Sequence, residues 1–161
     1  MKSGLRIIVL AVMLTIIFEA CSSTKSTQTT TANLNVGAFS GKWTVTDVRV
    51  DIPADYKIGD VFDEAPYEDF RGSRWELVRN GKGSFTLNSG ASQEIFWSLY
   101  NQANEKMFQF KKLEHKDKAK NVDDGYRLQI MQSSDTAFVL RSNLNLGDQK
   151  QGYITYNFSK N

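Results

Sequence analysis

The sequence predicts an all-β protein built around a single eight-stranded antiparallel up-and-down barrel. Apolar and polar residues alternate along eight segments, and the composition, 40% hydrophobic and 12% aromatic, is sufficient for a core. The predicted strands are 40–50, 73–79, 83–88, 94–100, 106–112, 125–132, 136–142 and 152–159. Eight strands joined in sequence are enough to close a sheet without exposed edges.

Turn residues separate these segments. Asn80-Gly81 is the sharpest hairpin signal, because a type I′ turn needs two residues with positive φ. Asn88-Ser89-Gly90, Asp123-Asp124-Gly125 and Gly147-Asp148 indicate three further turns. The segment 91–101 is the one stretch that is ambiguous between a helix and a strand.

The first predicted strand contains a short motif and a point at which the alternation of apolar and polar residues changes phase. Its apolar face shifts between Val45 and Val48, which predicts a bulge or a sharp bend. Gly41 and Trp43 form a Gly-x-Trp pattern near the start of the domain, and the longest non-strand segment, 51–72, follows this strand. Together these features resemble lipocalins, in which Gly-x-Trp opens the first strand and a large first loop lies across the open end of the barrel.

The resemblance covers residues 39–161. The segments RWELVRNGKGSFTL, IFWSLY, FQFKKL, GYRLQIM, FVLRS and ITYNFSK look like the short lipocalin-like lipoproteins of the Bacteroidetes group. Membership implies a lipocalin-like barrel with room for a small hydrophobic ligand. In larger lipocalins an arginine covers the first-strand tryptophan, and here Lys160 and Arg141 are the two candidates for that position.

The N-terminus has the three parts of a secretory signal peptide over residues 1–20: basic Lys2 and Arg6, the twelve-residue apolar run 7–18, and the small residue Ala20. A membrane-spanning helix would need about 20 apolar residues. Phe18-Glu19-Ala20-Cys21 resembles the lipobox of bacterial lipoproteins, which implies acylation, palmitate included, at Cys21. The alternative is an ordinary signal peptide with an incidental cysteine.

Residues 21–38 are predicted to be a lipidated N-terminus and flexible tether, because 22–38 consist almost entirely of small and polar residues. The residues directly after Cys21, Ser22-Ser23-Thr24-Lys25, contain neither an aspartate retention signal nor the acidic cluster that marks surface export. We therefore expect a lipid anchor in the outer membrane, at its periplasmic face. Residues 39–161 form the predicted barrel domain.

Several function classes are disfavoured. The formal net charge of +2 is too small to indicate a nucleic-acid partner, and a single cysteine permits no internal disulfide. The only histidine, His115, lies in a charged run without a plausible nucleophile or a second metal-ligating histidine. We therefore expect no enzyme activity, no cofactor and no metal.

Two functions remain open. The first is binding or carriage of a small hydrophobic ligand in or at the mouth of the barrel, and the second is a non-enzymatic scaffold in an outer-membrane complex with a filled barrel. The loop 51–72 holds seven acidic and two basic residues with aromatics between them, so its aromatics are predicted to cap the barrel while its acids face water. The candidate ligand-binding residues are Phe62, Tyr67 and Phe70 in this loop and Tyr126, Phe138 and Tyr156 in the barrel.

Overall fold

Eight antiparallel strands follow one another around a closed barrel in the computed structural model, which describes residues 35–102, 105–114 and 125–161. Each strand pairs with the next, and the first pairs with the last, so the predicted fold class is confirmed. The strands are β1 Gly41–Asp51, β2 Arg74–Leu77, β3 Lys82–Thr86, β4 Ser92–Gln102, β5 Glu105–Lys112, β6 Tyr126–Ser133, β7 Ala137–Asn145 and β8 Gln151–Lys160. A one-turn helix, α1 (Val36–Phe39), precedes β1. A single 3₁₀ turn, Tyr67–Phe70, lies between β1 and β2.

The ambiguous segment 91–101 belongs to strand β4. Ile95 and Trp97 are buried on its inner face, and Phe96 between them points outward, as the two-residue period requires. The turn before β3 is the predicted hairpin, with the Val78 amide donating to the Lys82 carbonyl at 2.8 Å. It is not of type I′, because Gly81 has a φ of 87° but Asn80 does not have a positive φ.

Strand β1 contains the predicted irregularity. Its pairing with β8 shifts register between Val45 and Asp47, so that Val45 lies opposite Phe158 and Val48 opposite Tyr156. Because one extra residue is inserted, Val45 and Val48 can both face the core although they are three positions apart.

The barrel has two distinct ends. We call the end where β1 begins the helix end, because α1 lies there, and the end where β1, β3, β5 and β7 finish the loop end. At the helix end, Asn35 accepts a hydrogen bond from the Ala38 amide at 3.0 Å, and Phe39 is fully buried against Phe138. The last residues of the predicted tether, 35–38, are thus part of this ordered cap.

The Gly-x-Trp motif lies at the helix end. Gly41 has a φ of 138°, which is accessible mainly to glycine, and a Cβ there would lie 3.3 Å from the Lys160 side chain. The ammonium nitrogen of Lys160 is 5.3 Å from the centre of the Trp43 ring. Arg141 instead stacks on Tyr153, with 4.6 Å between its guanidinium carbon and the ring centre. Of the two candidates, Lys160 therefore occupies the position over the tryptophan.

Aromatic side chains fill the described part of the interior. The following aromatic residues of the strands are buried: Trp43, Trp75, Phe85, Trp97, Phe108, Phe110, Phe138, Tyr156 and Phe158. Tyr126 is partly buried at the loop end. Ring centres as close as 4.4 Å for Phe138 and Phe158 indicate a tightly packed interior.

Candidate functional site

The loop between β1 and β2, residues 52–73, lies across the loop end and sends two aromatic rings inward. Its first inward element is a tight turn, Val61–Ala65, closed by a hydrogen bond from the Val61 amide to the Ala65 carbonyl at 2.8 Å. Phe62 and Asp63 in this turn have φ values of 56° and 49°. A left-handed conformation is uncommon outside glycine, and it costs about 1–3 kcal/mol per residue unless surrounding contacts hold it.

The ring of Phe62 is inserted between the barrel walls, and only 7% of the residue is exposed. Its centre lies 5.1 Å from the ring centres of both Phe110 and Tyr126, and 5.6 Å from that of Tyr156. We call the Val61–Ala65 turn with its inserted Phe62 ring the plug. The plug fills the interior of the barrel at its loop end.

A second loop ring, Phe70, lies beside the plug, with 5.4 Å between the ring centres of Phe62 and Phe70. Phe70 is fully buried, and its carbonyl accepts a hydrogen bond of 2.7 Å from the Ser73 hydroxyl. Its neighbours are bound to β1: the Gly72 amide donates to the Val45 carbonyl, and Arg71 donates to the Val48 carbonyl. Phe70 is therefore held by the barrel framework.

The plug is held mainly by side chains from β5 and β6. The Tyr126 hydroxyl lies 2.7 Å from the Phe62 carbonyl oxygen and 2.8 Å from Asp63 Oδ2, and its single proton can be donated to one of them at a time. Lys112 Nζ donates to the Asp63 carbonyl at 2.7 Å and to Glu64 Oε2 at 3.1 Å. We call Tyr126 and Lys112 the latch. Burial, with the hydrogen bond to Asp63, raises the pKa of Tyr126 to about 12.

Tyr156 lies beneath the plug and is 1% exposed. Within the described part of the chain its hydroxyl is buried and has no hydrogen-bond partner. Burial raises the pKa of this phenol, so it stays protonated and able to donate. A buried polar group left without a partner costs about 1–3 kcal/mol, and such exceptions often mark functional positions.

Four of the six predicted ligand-site residues meet at the loop end: Phe62, Phe70, Tyr126 and Tyr156. Tyr67 is partly buried in the 3₁₀ turn, where a hydrogen bond with Glu68 raises its pKa. The expectation that Phe138 belongs to the ligand site at the loop end is wrong. Because β7 starts at the helix end and Phe138 is its second residue, the ring packs against Phe39 and Trp43 at the opposite end of the barrel.

Lys112 was not among the predicted site residues. It continues the inward-facing series of Phe108 and Phe110 on β5, so the alternation alone predicts a lysine pointing into the mouth. The prediction that the loop acids face water is wrong for Glu64, which forms a partly buried ion pair with Lys112. The proposed attachment residue, Cys21, lies outside the described residues, as does His115.

Next to the latch, the surface forms an open depression of about 390 Å³. It is lined by Asp63, Lys111, Lys112, Gly125 and Tyr126. Its charged and polar walls suit the entrance to a site better than the site itself.

The described residues contain neither a membrane-spanning helix nor a cluster of metal-binding side chains. No helix within residues 35–102, 105–114 and 125–161 is long and apolar enough to cross a bilayer. In the same part of the chain, no three histidine, cysteine, aspartate or glutamate side chains lie close enough to hold a metal ion.

Comparison with known proteins does not assign a family. No family model matches the sequence, and no curated protein is significantly similar to it. The plug, the latch and Tyr156 must therefore be interpreted from their own geometry.

Proposed function

We propose that this protein binds a small hydrophobic ligand at the loop end of its barrel, in the space that the plug occupies in the present structure. The observation that carries this proposal is the partnerless hydroxyl of Tyr156, buried beneath a ring that belongs to a loop and not to the barrel wall. A polar group placed at the bottom of an apolar chamber is typical of small-molecule sites, where it orients the guest.

The division between wall and loop supports the proposal. An eight-stranded barrel has room either for packed side chains or for one small ligand. Withdrawal of Phe62 would leave a chamber walled by Phe110, Tyr126 and Tyr156, with Phe70 still anchored beside it. Binding thus requires movement of one turn only.

Affinity is expected to be modest. Burying about 300 Å² of apolar guest surface yields roughly 7 kcal/mol at about 25 cal/mol per Å², and association removes a large share of that gain. The guest must also displace the plug, which lowers the apparent affinity by the fraction of molecules that are open. Micromolar or weaker binding is therefore the expectation.

The proposal includes a lipid anchor that holds the protein at a membrane. Lipid attached at Cys21 would hold the barrel at the periplasmic face of the outer membrane, close to where hydrophobic compounds partition. Two or three acyl chains suffice for durable anchoring, whereas one does not.

A scaffold function is the second candidate, and the filled interior favours it. Ring contacts run without a break from Phe39 at the helix end through Phe108 and Phe110 to Phe62 at the loop end. If the plug never leaves, the barrel is a rigid support, and its loops would bind another protein of an outer-membrane complex.

Fluorescence titration with fatty acids and a polarity-sensitive dye distinguishes the two functions. The carrier should show saturable, competitive binding, and Phe62→Ser should change the affinity. Val78→Ser is the matched control, because Val78 is 43% exposed in the turn at the helix end and should leave binding unchanged.

If neither the wild type nor Phe62→Ser binds below about 100 μM, or if both bind alike, the carrier is abandoned in favour of the scaffold. Native mass spectrometry of protein purified gently from its own membrane would then identify the scaffold's partner.

A further inference from the structure

We infer that Phe62 is a built-in substitute for the ligand, and that the guest carries a phenyl-sized apolar group with a neutral hydrogen-bond acceptor, such as a carbonyl oxygen, that pairs with the Tyr156 hydroxyl. The inference rests on the proposed function, because it specifies the guest of that same site. It also assigns to Tyr126 and Lys112 the control of how readily the site opens.

The surroundings of the Phe62 ring have the shape of a cage for one aromatic ring. Its contacts with Phe70, Phe110 and Tyr126 are edge-to-face, with interplanar angles of 84°, 75° and 64°. A flat aromatic guest can reproduce these contacts, since its polarised edge and face meet the same partners. A saturated chain has no such edge and face.

The plug and the chamber match imperfectly in one respect. Phe62 has no polar side-chain atom. The ring centre of Tyr156 lies 5.6 Å from that of Phe62, and the Tyr156 hydroxyl has no hydrogen-bond partner among the described residues while the plug is in place. A purely structural filling would gain nothing from a tyrosine at this position, where phenylalanine would supply the same ring. A guest with an acceptor would satisfy the hydroxyl, and a neutral acceptor avoids burying a charge.

The conformation of the plug and its few restraints indicate that it can leave the barrel. Its two left-handed residues, Phe62 and Asp63, keep their conformation because the ring is buried and because the latch binds their carbonyl oxygens. Withdrawal of the ring releases both restraints together. Phe70 stays, since Arg71 and Gly72 bind it to β1.

The first experiment empties the cage. In the chain from residue 21 onward, carrying Cys21→Ala, Phe62→Ala leaves a ring-sized cavity that should bind small aromatics, as dry engineered cavities do. The probes are acetophenone and α-methylstyrene, which have nearly the same shape and differ in whether they carry a carbonyl oxygen. Calorimetric titration gives the ratio of their affinities.

The expected result is a change in that ratio on removing one hydroxyl. Adding Tyr156→Phe to Phe62→Ala should reduce the preference for acetophenone by about five- to tenfold, the value of one hydrogen bond. Phe138→Ala is the matched control, because it opens a ring-sized cavity against Phe39 and Trp43 at the helix end, away from the Phe62 cage, and its ratio should resemble that of the double variant.

The latch is tested in the chain that keeps Phe62. Tyr126→Phe removes a hydrogen bond that exists only when the plug is in place, so acetophenone should bind about fivefold more tightly. The same substitution in Phe62→Ala should have little effect, because no ring remains to be displaced.

Each failure has a separate meaning. If Phe62→Ala folds, as judged by near-ultraviolet circular dichroism, and binds neither probe, the inference is overturned; if it does not fold, Phe62→Leu gives the same readout with a smaller cavity. An unchanged ratio on Tyr156→Phe also overturns it. If the wild type binds fatty acids while either of these two results is obtained, the inference about the guest is wrong but the proposed function still stands.

Discussion

The indole nitrogen of Trp43 donates a hydrogen bond of 2.8 Å to the carbonyl oxygen of Phe39, and both residues are fully buried. This bond joins helix α1 to strand β1 and satisfies a donor that would otherwise be buried without a partner. Lys160 covers the tryptophan ring from the end of β8, so the two ends of the barrel domain meet at one side chain.

Replacing Trp43 should therefore be severe. Trp43→Ala removes a fully buried side chain and leaves a cavity, which typically costs about 3–5 kcal/mol of unfolding free energy. Denaturant titration measures the loss, and Trp43→Phe, which keeps a ring but not the hydrogen bond, should lie between the variant and the wild type. A loss below about 1 kcal/mol would contradict the closing role of this residue.

Phe39 tests whether α1 is part of the folded unit. Phe39→Ala removes a ring that contacts both Phe108 and Phe138, so we expect a loss of about 3–5 kcal/mol. Val36→Ala in the same helix is the control: Val36 is 38% exposed and its truncation should change stability by no more than about 0.5 kcal/mol. Equal losses of stability for Phe39→Ala and Val36→Ala would mean that the buried ring of α1 makes no specific contribution to the stability of the barrel.

We expect the latch to be lost at alkaline pH, when the Tyr126 hydroxyl is deprotonated. The pKa of Tyr126 is raised from 10.0 to about 12 by burial, by its hydrogen bond to Asp63 and by the charges of Asp63 and Glu64, while Lys112 donates to the Asp63 carbonyl. Because the folded pKa exceeds the unfolded one, the stabilisation is complete below pH 10 and is lost as the pH rises towards 12.

Tyrosinate absorbance follows this transition. The step near pH 12 should disappear in Tyr126→Phe. In Asp63→Asn it should move to lower pH, since the acceptor's negative charge is removed and asparagine tolerates the left-handed conformation. If the step that is lost in Tyr126→Phe lies near pH 10 instead, the hydroxyl does not hold the plug.

The proposed lipid anchor would depend on a single thiol, that of Cys21. Cys21→Ala should shift the full-length protein from the membrane fraction to the soluble fraction and abolish palmitate labelling, because acyl chains supply the membrane affinity. Ser22→Ala beside it should stay membrane-bound. Equal labelling of both variants would exclude lipid attachment at Cys21.

Much of the barrel was predictable because a half-buried strand leaves a local pattern. The two-residue period located every described strand, the phase change between Val45 and Val48 located the bulge, and Asn80-Gly81 located a hairpin. The loop aromatics were also recognisable as candidates, since aromatic rings in a long loop over a barrel mouth need a place out of water.

The sequence by itself thus determined the strands, their order and which residues face inward, because these follow from hydrophobic periodicity along the chain. Only the tertiary structure decided that Phe62 enters the barrel through a left-handed turn, that Phe138 lies at the far end, and that Lys160 covers Trp43. These features depend on register and on contacts between residues far apart in the chain. No local pattern records such contacts, because the free energy that selects them arises only when the sheet closes.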